Sequence, residues 1–288
     1  MKVAGFTFIR NAVRYDYPVV ESITSLLPLV DELVVCVGNS DDSTLALIES
    51  IASPKIKIFH SVWDESLREG GKILAVETNK ALAAVAHDAD WCFYLQGDEV
   101  LNEEDYEAIR NAMNRYKDDV KVEGLLFNYR HFYGSYQYLG NSRKWYRHEI
   151  RIVRNNIGVY SYKDAQGFRI DNRKLNVKPI NAFIYHYGWV KNPHLQTEKQ
   201  KNFHKLWHSD ETVKNMVQAD EFDYSSIDSL AVFKASHPIV MTNRIEKVDW
   251  DFQFDVSKVK LKLKYRILNW LEKVTGHRFF EYKNYRKI

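Results

Sequence analysis

Residues 91–99 constrain this chain more than any other stretch. Trp91, Cys92, Phe93, Tyr94 and Leu95 form an apolar run that passes through Gln96 and Gly97 into two carboxylates, Asp98 and Glu99. An apolar run of that length, without polar alternation, reads as a strand buried on both faces. Such strands belong to parallel sheets covered by helices, and ligands bind beyond their carboxyl ends. Acids placed there can hold a divalent cation against phosphate groups. The same acids would also suit the opening of the next helix, whose N-terminus favours negative charge. The surrounding sequence has to decide between these two readings.

The first hundred residues alternate short apolar runs with helical patterns. Strands are expected at 3–9, 32–38, 56–62 and 91–96. Helices are expected at 18–28, which opens on Pro18, at 43–52 after the polar turn from Gly38 to Thr44, and at 72–87. In the last of these Ile73, Leu74, Val76, Leu82 and Val85 form the apolar side. Alternation of this kind implies parallel pairing through right-handed crossovers. After Asn102, the acids Glu103, Glu104, Asp105 and Glu107 open a further helix. From residue 122 the texture changes, and 122–136, 148–155 and 180–189 read as strands of a mixed or antiparallel part. Residues 194–217 read as a polar helix, 218–255 as acidic and irregular, and 256–288 as strongly basic.

Composition narrows the classes. With 288 residues and 45% hydrophobic content, the chain can bury a full core in one large α/β domain with an extension, or in two domains. A net charge of +3 gives no support for nucleic-acid binding. Cys36 and Cys92 each lie in an apolar run and read as reduced core residues of a cytosolic protein. No secretory pattern opens the sequence, and no apolar run has the length of a bilayer span. The aromatic content of 14% suits surfaces that stack on sugars or bases as well as ordinary cores. The His148-Glu149-Ile150-Arg151 segment lacks the spacing of a zinc-protease helix, and no P-loop, nucleophile elbow or paired-cysteine motif is present.

Several motifs in order resemble the family 2 glycosyltransferases with the GT-A fold, over roughly residues 1–210. They are the strand and loop Thr7-Phe8-Ile9-Arg10-Asn11, the turn from Val37 to Thr44 with Ser40, Asp42 and Thr44, a helix carrying Asn79, and Gln96-Gly97-Asp98-Glu99 closing the fourth strand. The resemblance implies an α/β fold of GT-A type: a mostly parallel, Rossmann-like sheet flanked by helices, a small mixed sheet, and a helical basic extension. It implies a catalytic domain over 1–217, split into a nucleotide-sugar half at 1–101 and an acceptor half at 102–217, followed by an extension over 218–288. It further implies inverting transfer of a sugar from a nucleotide-sugar donor to a carbohydrate or lipid-linked acceptor, in cell-surface polysaccharide or glycolipid synthesis. Thr7, Arg10, Asn11, Asp42, Asn79, Gln96, Gly97 and Asp98 become the expected donor-binding residues. A divalent metal, Mn2+ or Mg2+, is expected on Asp98 and His186, the latter within Tyr185-His186-Tyr187-Gly188-Trp189. Asp164, before Gly167, becomes the expected general base, and Tyr and Trp residues of 129–146 and 185–189 an acceptor wall.

The sequence departs from the family in two places. The leading acidic pair of the second-strand turn is missing, so recognition of the base or ribose must differ. Gln96 stands where the first Asp of the metal motif is usual; its single neutral oxygen is a poorer ligand for a hard cation, so a weaker metal site is expected. Bland readings stand beside the sharp ones: His186 as a core histidine, Asp164 as a turn residue, and Glu149, Arg151 and Arg154 as a solvated strand face, with Arg151 also a candidate for phosphate. Two other functions stay open: a catalytically degenerate nucleotide-sugar binder, and a nucleotidyltransferase, although Phe8 to Tyr17 lacks the glycines that such enzymes carry after the first strand. The location expected is cytoplasmic. In the tail, Lys258, Lys260, Lys262 and Lys264 alternate with Val259, Leu261, Leu263 and Tyr265, and Ile267, Leu268, Trp270, Leu271 and Val274 follow at helical spacing. That mixture resembles a segment lying on the inner face of the cell membrane, the alternative being a packed helix with a solvated basic face.

Overall fold

A computed structural model describes residues 1–67, 70–207, 211–213 and 220–288. Its first half is built from the apolar runs. Strands β1 (Val3–Ile9), β2 (Glu32–Gly38), β3 (Ile56–Ser61) and β4 (Trp91–Tyr94) pair in parallel. Helices α1 (Val19–Leu26), α2 (Thr44–Glu49) and α3 (Lys72–Ala83) make the crossovers. Every residue of β2 and β4 is buried, because helices cover both faces of the sheet. The spatial order is β3-β2-β1-β4. The chain winds outward from β1 to β3, then returns to place β4 on the other side of β1. The loops leaving the carboxyl ends of β1 and β4 therefore part in opposite directions and leave a crevice between them.

The second half extends this sheet and reverses part of it. Strand β5 (Glu99–Leu101), helix α4 (Tyr106–Tyr116) and strands β6 (Gly124–Tyr133), β7 (Ser135–Gly140) and β8 (His148–Arg154) follow in sequence. β8 lies antiparallel to both β4 and β6. A separate small sheet holds β9 (Tyr160–Tyr162), β10 (Gly167–Ile170) and β11 (Arg173–Lys174). The long strand β12 (Asn176–Trp189) runs parallel to β6 and antiparallel to β5, which sets His186 opposite Glu99 on one side and His131 on the other. Helix α5 (Pro193–Lys205) follows. The C-terminal residues return to the main sheet, where β13 (Leu230–Val232) pairs with β7 and β14 (Arg286–Lys287) with β12. The architecture is mixed α/β, with parallel strands in the half that carries the crevice.

Element ends depart from the sequence pattern for local reasons. The strand expected over 91–96 leaves the ladder after Tyr94. There the Glu99 amide bonds the Gln96 carbonyl (2.9 Å) and the Glu99 carboxylate accepts the Gln96 amide (3.1 Å), forming a tight turn. The helix expected over 18–28 stops at Leu26 and tightens into a 3-10 turn over Leu27–Leu29, since Pro28 supplies no amide proton. Of the polar helix expected over 194–217, α5 accounts for the first part, and 208–210 and 214–219 lie outside the described residues. The alternating run 259–262 forms no strand; a helix begins at Leu263. Cys36 and Cys92 are buried free thiols.

One buried ion pair fixes the turn after β4. Glu99 and Arg151 are both wholly buried, with Arg151 Nε to Glu99 Oε2 and Arg151 Nη2 to Glu99 Oε1 each 2.8 Å. The Tyr129 hydroxyl donates to Oε1 (2.7 Å). The guanidinium packs over the rings of Tyr94 and Tyr129. Arg151 is therefore neither a phosphate ligand nor part of a solvated face. Arg154 likewise turns inward, capping the carbonyls of Tyr116, Lys117, Asp119 and Val122. Removing one partner of a buried pair leaves an uncompensated charge, which costs about 3–5 kcal/mol. Arg151→Met should lose that much in urea unfolding, and the double variant Glu99→Gln/Arg151→Met should lose less. A single variant as stable as the parent would remove the pair from this role.

Candidate functional site

The crevice between β1 and β4 is a cavity of about 450 Å³. Its base is Gln96, Gly97 and Asp98 from the turn after β4. One side is the loop after β1. Asn11 adopts a left-handed conformation (φ 53°), its amide donates to Ser40 Oγ (3.0 Å), and its side-chain oxygen accepts the Asp41 amide (3.1 Å). The Ala12 amide donates to Thr44 Oγ1 (2.7 Å), so the loops after β1 and β2 are joined along their length. Arg10 reaches across the Trp63 ring to Glu65 and the Asn39 carbonyl. Opposite stand Tyr146, Asp164, Gln166, His186 and Trp189, and α5 adds Lys199, Gln200, Asn202 and Phe203.

The centre of the site is one carboxylate oxygen. Asp98 Oδ2 lies 3.4 Å from Lys199 Nζ and 3.7 Å from His186 Nε2. Strand β12 brings His186 there, because the Tyr187 amide donates to the Asp98 carbonyl (2.8 Å). Lys199 Nζ also donates to the Gly188 carbonyl (2.8 Å) and sits over the Tyr17 ring. A second buried ammonium, Lys191, donates to the Asp16 carbonyl (2.6 Å) over the same ring. Burial alone would raise the Asp98 carboxyl; Lys199, then His186 and Lys191, outweigh it and hold the group well below the carboxylate range. Burial, with Lys199 adding to it, pushes the Lys191 ammonium down to about 7. Lys199 and His186 thus meet Asp98 at the lining of the crevice, with Lys191 behind them.

Hydrogen bonding orients the His186 ring from behind. His131 Nε2 lies 2.7 Å from the Tyr146 carbonyl, which can only accept, so Nε2 carries the proton. Burial, reinforced by His186, keeps His131 well below the usual histidine range and therefore neutral, so its Nδ1 is an acceptor. That acceptor is 3.1 Å from His186 Nδ1, which must then donate. His186 Nε2 is turned toward the Asp98 carboxylate, 3.7 Å away. Gly188 keeps the space clear: a Cβ there would stand 2.6 Å from Asp98 Oδ2 and 2.7 Å from His186 Nε2. One carboxylate and one imidazole oriented from behind fit a divalent cation that arrives with phosphate groups completing its shell. Among the described residues no group of three or more His, Cys, Asp or Glu converges, so a cage made by the protein alone is not formed.

Not every expected residue faces the cavity. Arg10, Asn11, Gln96, Gly97, Asp98, Asp164 and His186 line it. Thr7 is buried within β1. Asn79 clamps β9 to α3 through the amide and carbonyl of Ser161 (2.6 and 3.2 Å). Asp42 is spent on the loops, accepting from the backbone amides of Arg14 (2.7 Å) and Thr44 (3.0 Å), and it is Asp41, paired with Arg14, that faces the cavity. The Gln96 amide group donates to the Tyr94 hydroxyl (3.2 Å). Of the aromatic wall, Tyr146 and Trp189 reach the cavity, and Tyr129, His131 and Trp145 pack against Tyr146 or His131 behind it. The pattern reading missed Lys199 and Trp63. Lys199 lies in a polar helix with no motif around it, and Trp63 follows β3 as a lone aromatic.

No family model matches the sequence, and no curated protein matches it. Among solved structures the chain is similar to S. aureus TarS residues 1–349, a family 2 glycosyltransferase of GT-A fold, at 14% identity and a TM-score of 0.42 over 75% of this chain and 69% of that one. It is similar to 4-diphosphocytidyl-2C-methyl-D-erythritol synthase from Anaerococcus prevotii at 12% identity and 0.40, over 71% and 94% of the two chains. It is also similar to glucosyl-3-phosphoglycerate synthase from Mycobacterium tuberculosis, solved with Mn2+, UDP and phosphoglyceric acid, at 20% identity and 0.29, over 46% and 43%. At this identity and overlap the likeness carries no chemistry over to this chain.

Behind the cavity, Glu149 of β8 is buried, and its Oε2 has no hydrogen-bond partner. Burial first, then Glu99 and Asp164 against the opposing Arg151, push its carboxyl up to about 8 from 4.5. The folded protein therefore binds one more proton than the unfolded chain between those values, and stability falls as pH rises through that window. Glu149→Gln removes the titrating group and keeps the shape. In urea unfolding it should match the parent at about pH 5 and exceed it by on the order of 1–3 kcal/mol at about pH 9. An equal difference at both pH values would show that Glu149 is charged throughout.

Proposed function

We propose that the chain is a glycosyltransferase that moves a sugar from a nucleoside diphosphate-sugar to an acceptor hydroxyl with inversion, in the synthesis of a cell-surface polysaccharide or glycolipid. The observation that carries this reading is the convergence of Asp98, His186 and Lys199 on one point of the sheet's switch crevice. That arrangement suits a diphosphate leaving group and little else of comparable size. The loop motifs that frame it are those the sequence shares with family 2 enzymes.

Each service the reaction needs has a residue suited to it. The nucleoside would enter beside Arg10, Asn11 and Trp63, where the indole offers a stacking face. The diphosphate would reach Lys199, whose ammonium, fixed by Gly188 and Asp98, stabilises charge as it builds on the leaving oxygen. A divalent cation, when bound to Asp98 and His186, would add Lewis-acid neutralisation of the same group. The acceptor hydroxyl would lie against Asp164, which takes its proton as the hydroxyl oxygen attacks the anomeric carbon from the face opposite the diphosphate. Tyr146 and Trp189 would hold the acceptor between apolar faces.

The reading is tested by thermal shift and product analysis with a panel of nucleoside diphosphates and their sugars, with and without Mn2+. Stabilisation by a nucleoside diphosphate together with sugar release or transfer supports it. Binding without turnover would leave a nucleotide-sugar binder, and stabilisation by nucleoside triphosphates alone would favour a nucleotidyltransferase. Asp98→Asn should abolish turnover and metal-dependent nucleotide binding with the fold intact, and undiminished turnover in that variant would remove Asp98 from the centre of the reaction. Asp164→Asn should lower kcat by roughly 10²–10⁴ and leave donor affinity unchanged. Collapse of donor affinity would instead assign Asp164 to the donor site.

A further inference from the structure

Outside the crevice, the C-terminal helix Leu263–Thr275 has two unlike faces. Its inner face is clamped to the domain. Leu268 is buried, and Glu272 pairs with Arg143 (2.6 Å) and Arg147 (3.0 Å). Beyond the helix, Glu281 pairs with Arg147 (3.2 Å) and Arg278 (3.4 Å). These are the two carboxylate side chains after residue 256, and both are consumed by arginines on the domain side. The outer face is apolar. Leu263, Ile267, Trp270 and Val274 recur at i, i+4, i+7 and i+11, which is one stripe, and they are 71, 51, 62 and 65% exposed. Phe280, just past the helix, is 90% exposed. Arg266 and Lys273 border the stripe on one side and Lys264 on the other, while Lys258, Lys260 and Lys262 lead into it, all exposed. Lys258 pairs with Asp255 (3.7 Å); the other five form no ion pair among the described residues.

We propose that this face docks on an anionic lipid surface. A stripe of large apolar side chains bordered by unpaired cations matches the two layers of a bilayer interface, with acyl chains below and anionic headgroups beside them. The same charges argue against a second copy as the occupant. Two such helices face to face would set cation against cation, with no outward carboxylate to answer either. The expected solvated basic face is thus replaced by an apolar face with a basic border. The inner clamp ties this helix to Arg143 and Arg147, which flank Trp145 and Tyr146, and Tyr146 lines the cavity. The surface that would meet lipid and one wall of the crevice therefore share a loop.

Co-sedimentation of the full chain with vesicles tests the proposal. The protein should pellet with phosphatidylcholine/phosphatidylglycerol vesicles at low salt, be released at high salt, and stay in solution with phosphatidylcholine alone. Ile267→Glu/Trp270→Glu changes only outward side chains; it should keep the parent's circular dichroism and melting temperature yet lose roughly tenfold or more in vesicle affinity. Lys264→Gln/Arg266→Gln/Lys273→Gln should weaken binding and flatten its salt response. Failure of the parent to pellet with anionic vesicles would overturn the proposal, as would unchanged binding by the Ile267/Trp270 variant. Concentration-dependent self-association that this variant abolishes, without vesicle binding, would give the face to a second copy.

Discussion

The Glu99–Arg151 pair is the joint on which the site depends. It ties the turn after β4 to β8, and through Tyr129 to β6, so three strands meet at one carboxylate. The next residue back, Asp98, is thereby held at a fixed height above the sheet edge. The pair sits in full burial, where its own contribution to stability is small against the desolvation of two charges. Its value lies in register: were Glu99 free to leave, the turn would have no reason to close at Gln96. Two adjacent acids thus divide the work, Glu99 facing inward to hold the turn and Asp98 facing the cavity.

Around Asp98 the fold concentrates charge that water would otherwise dilute. Lys199 and Lys191 both lie over the Tyr17 ring, in surroundings that disfavour their charged forms. Asp98 compensates Lys199 only in part, at a distance longer than an ideal ion pair. An incoming anion, as in the proposed reaction, would relieve that imbalance. The His131–His186 contact adds orientation, holding the inner imidazole with Nε2 toward Asp98.

Much of this was legible in the sequence, and the rest failed for definite reasons. The apolar runs predicted β1, β2 and β4 because burial on both faces forbids polar alternation, whereas β3, at the sheet edge, is only partly buried and alternates. Asp98 could be placed because a strand's end fixes direction as well as position. His186 could be proposed from its motif, but its orientation depends on His131, fifty-five residues earlier in the chain and adjacent only through the β6–β12 register. Asp42 and Asn79 carry the expected side chains at the expected places yet turn to backbone partners, which no spacing reveals. Arg151 looked like a strand-face cation because its partner Glu99 is distant in sequence. Lys199 had no local signal at all, since its role comes from how α5 is laid over the crevice.

Gly188 has a consequence that reaches past geometry. The space between Asp98 and His186 exists because position 188 lacks a side chain, and the Gly188 carbonyl, pointing elsewhere, holds Lys199. The space beside the Asp98 carboxylate is therefore set by a residue with no functional group. One methyl group there would stand against Asp98 Oδ2 and His186 Nε2 and force those side chains to shift. A side chain at position 188 would close this space without adding or removing any polar group, so the opening of the crevice at this point is a property of the backbone.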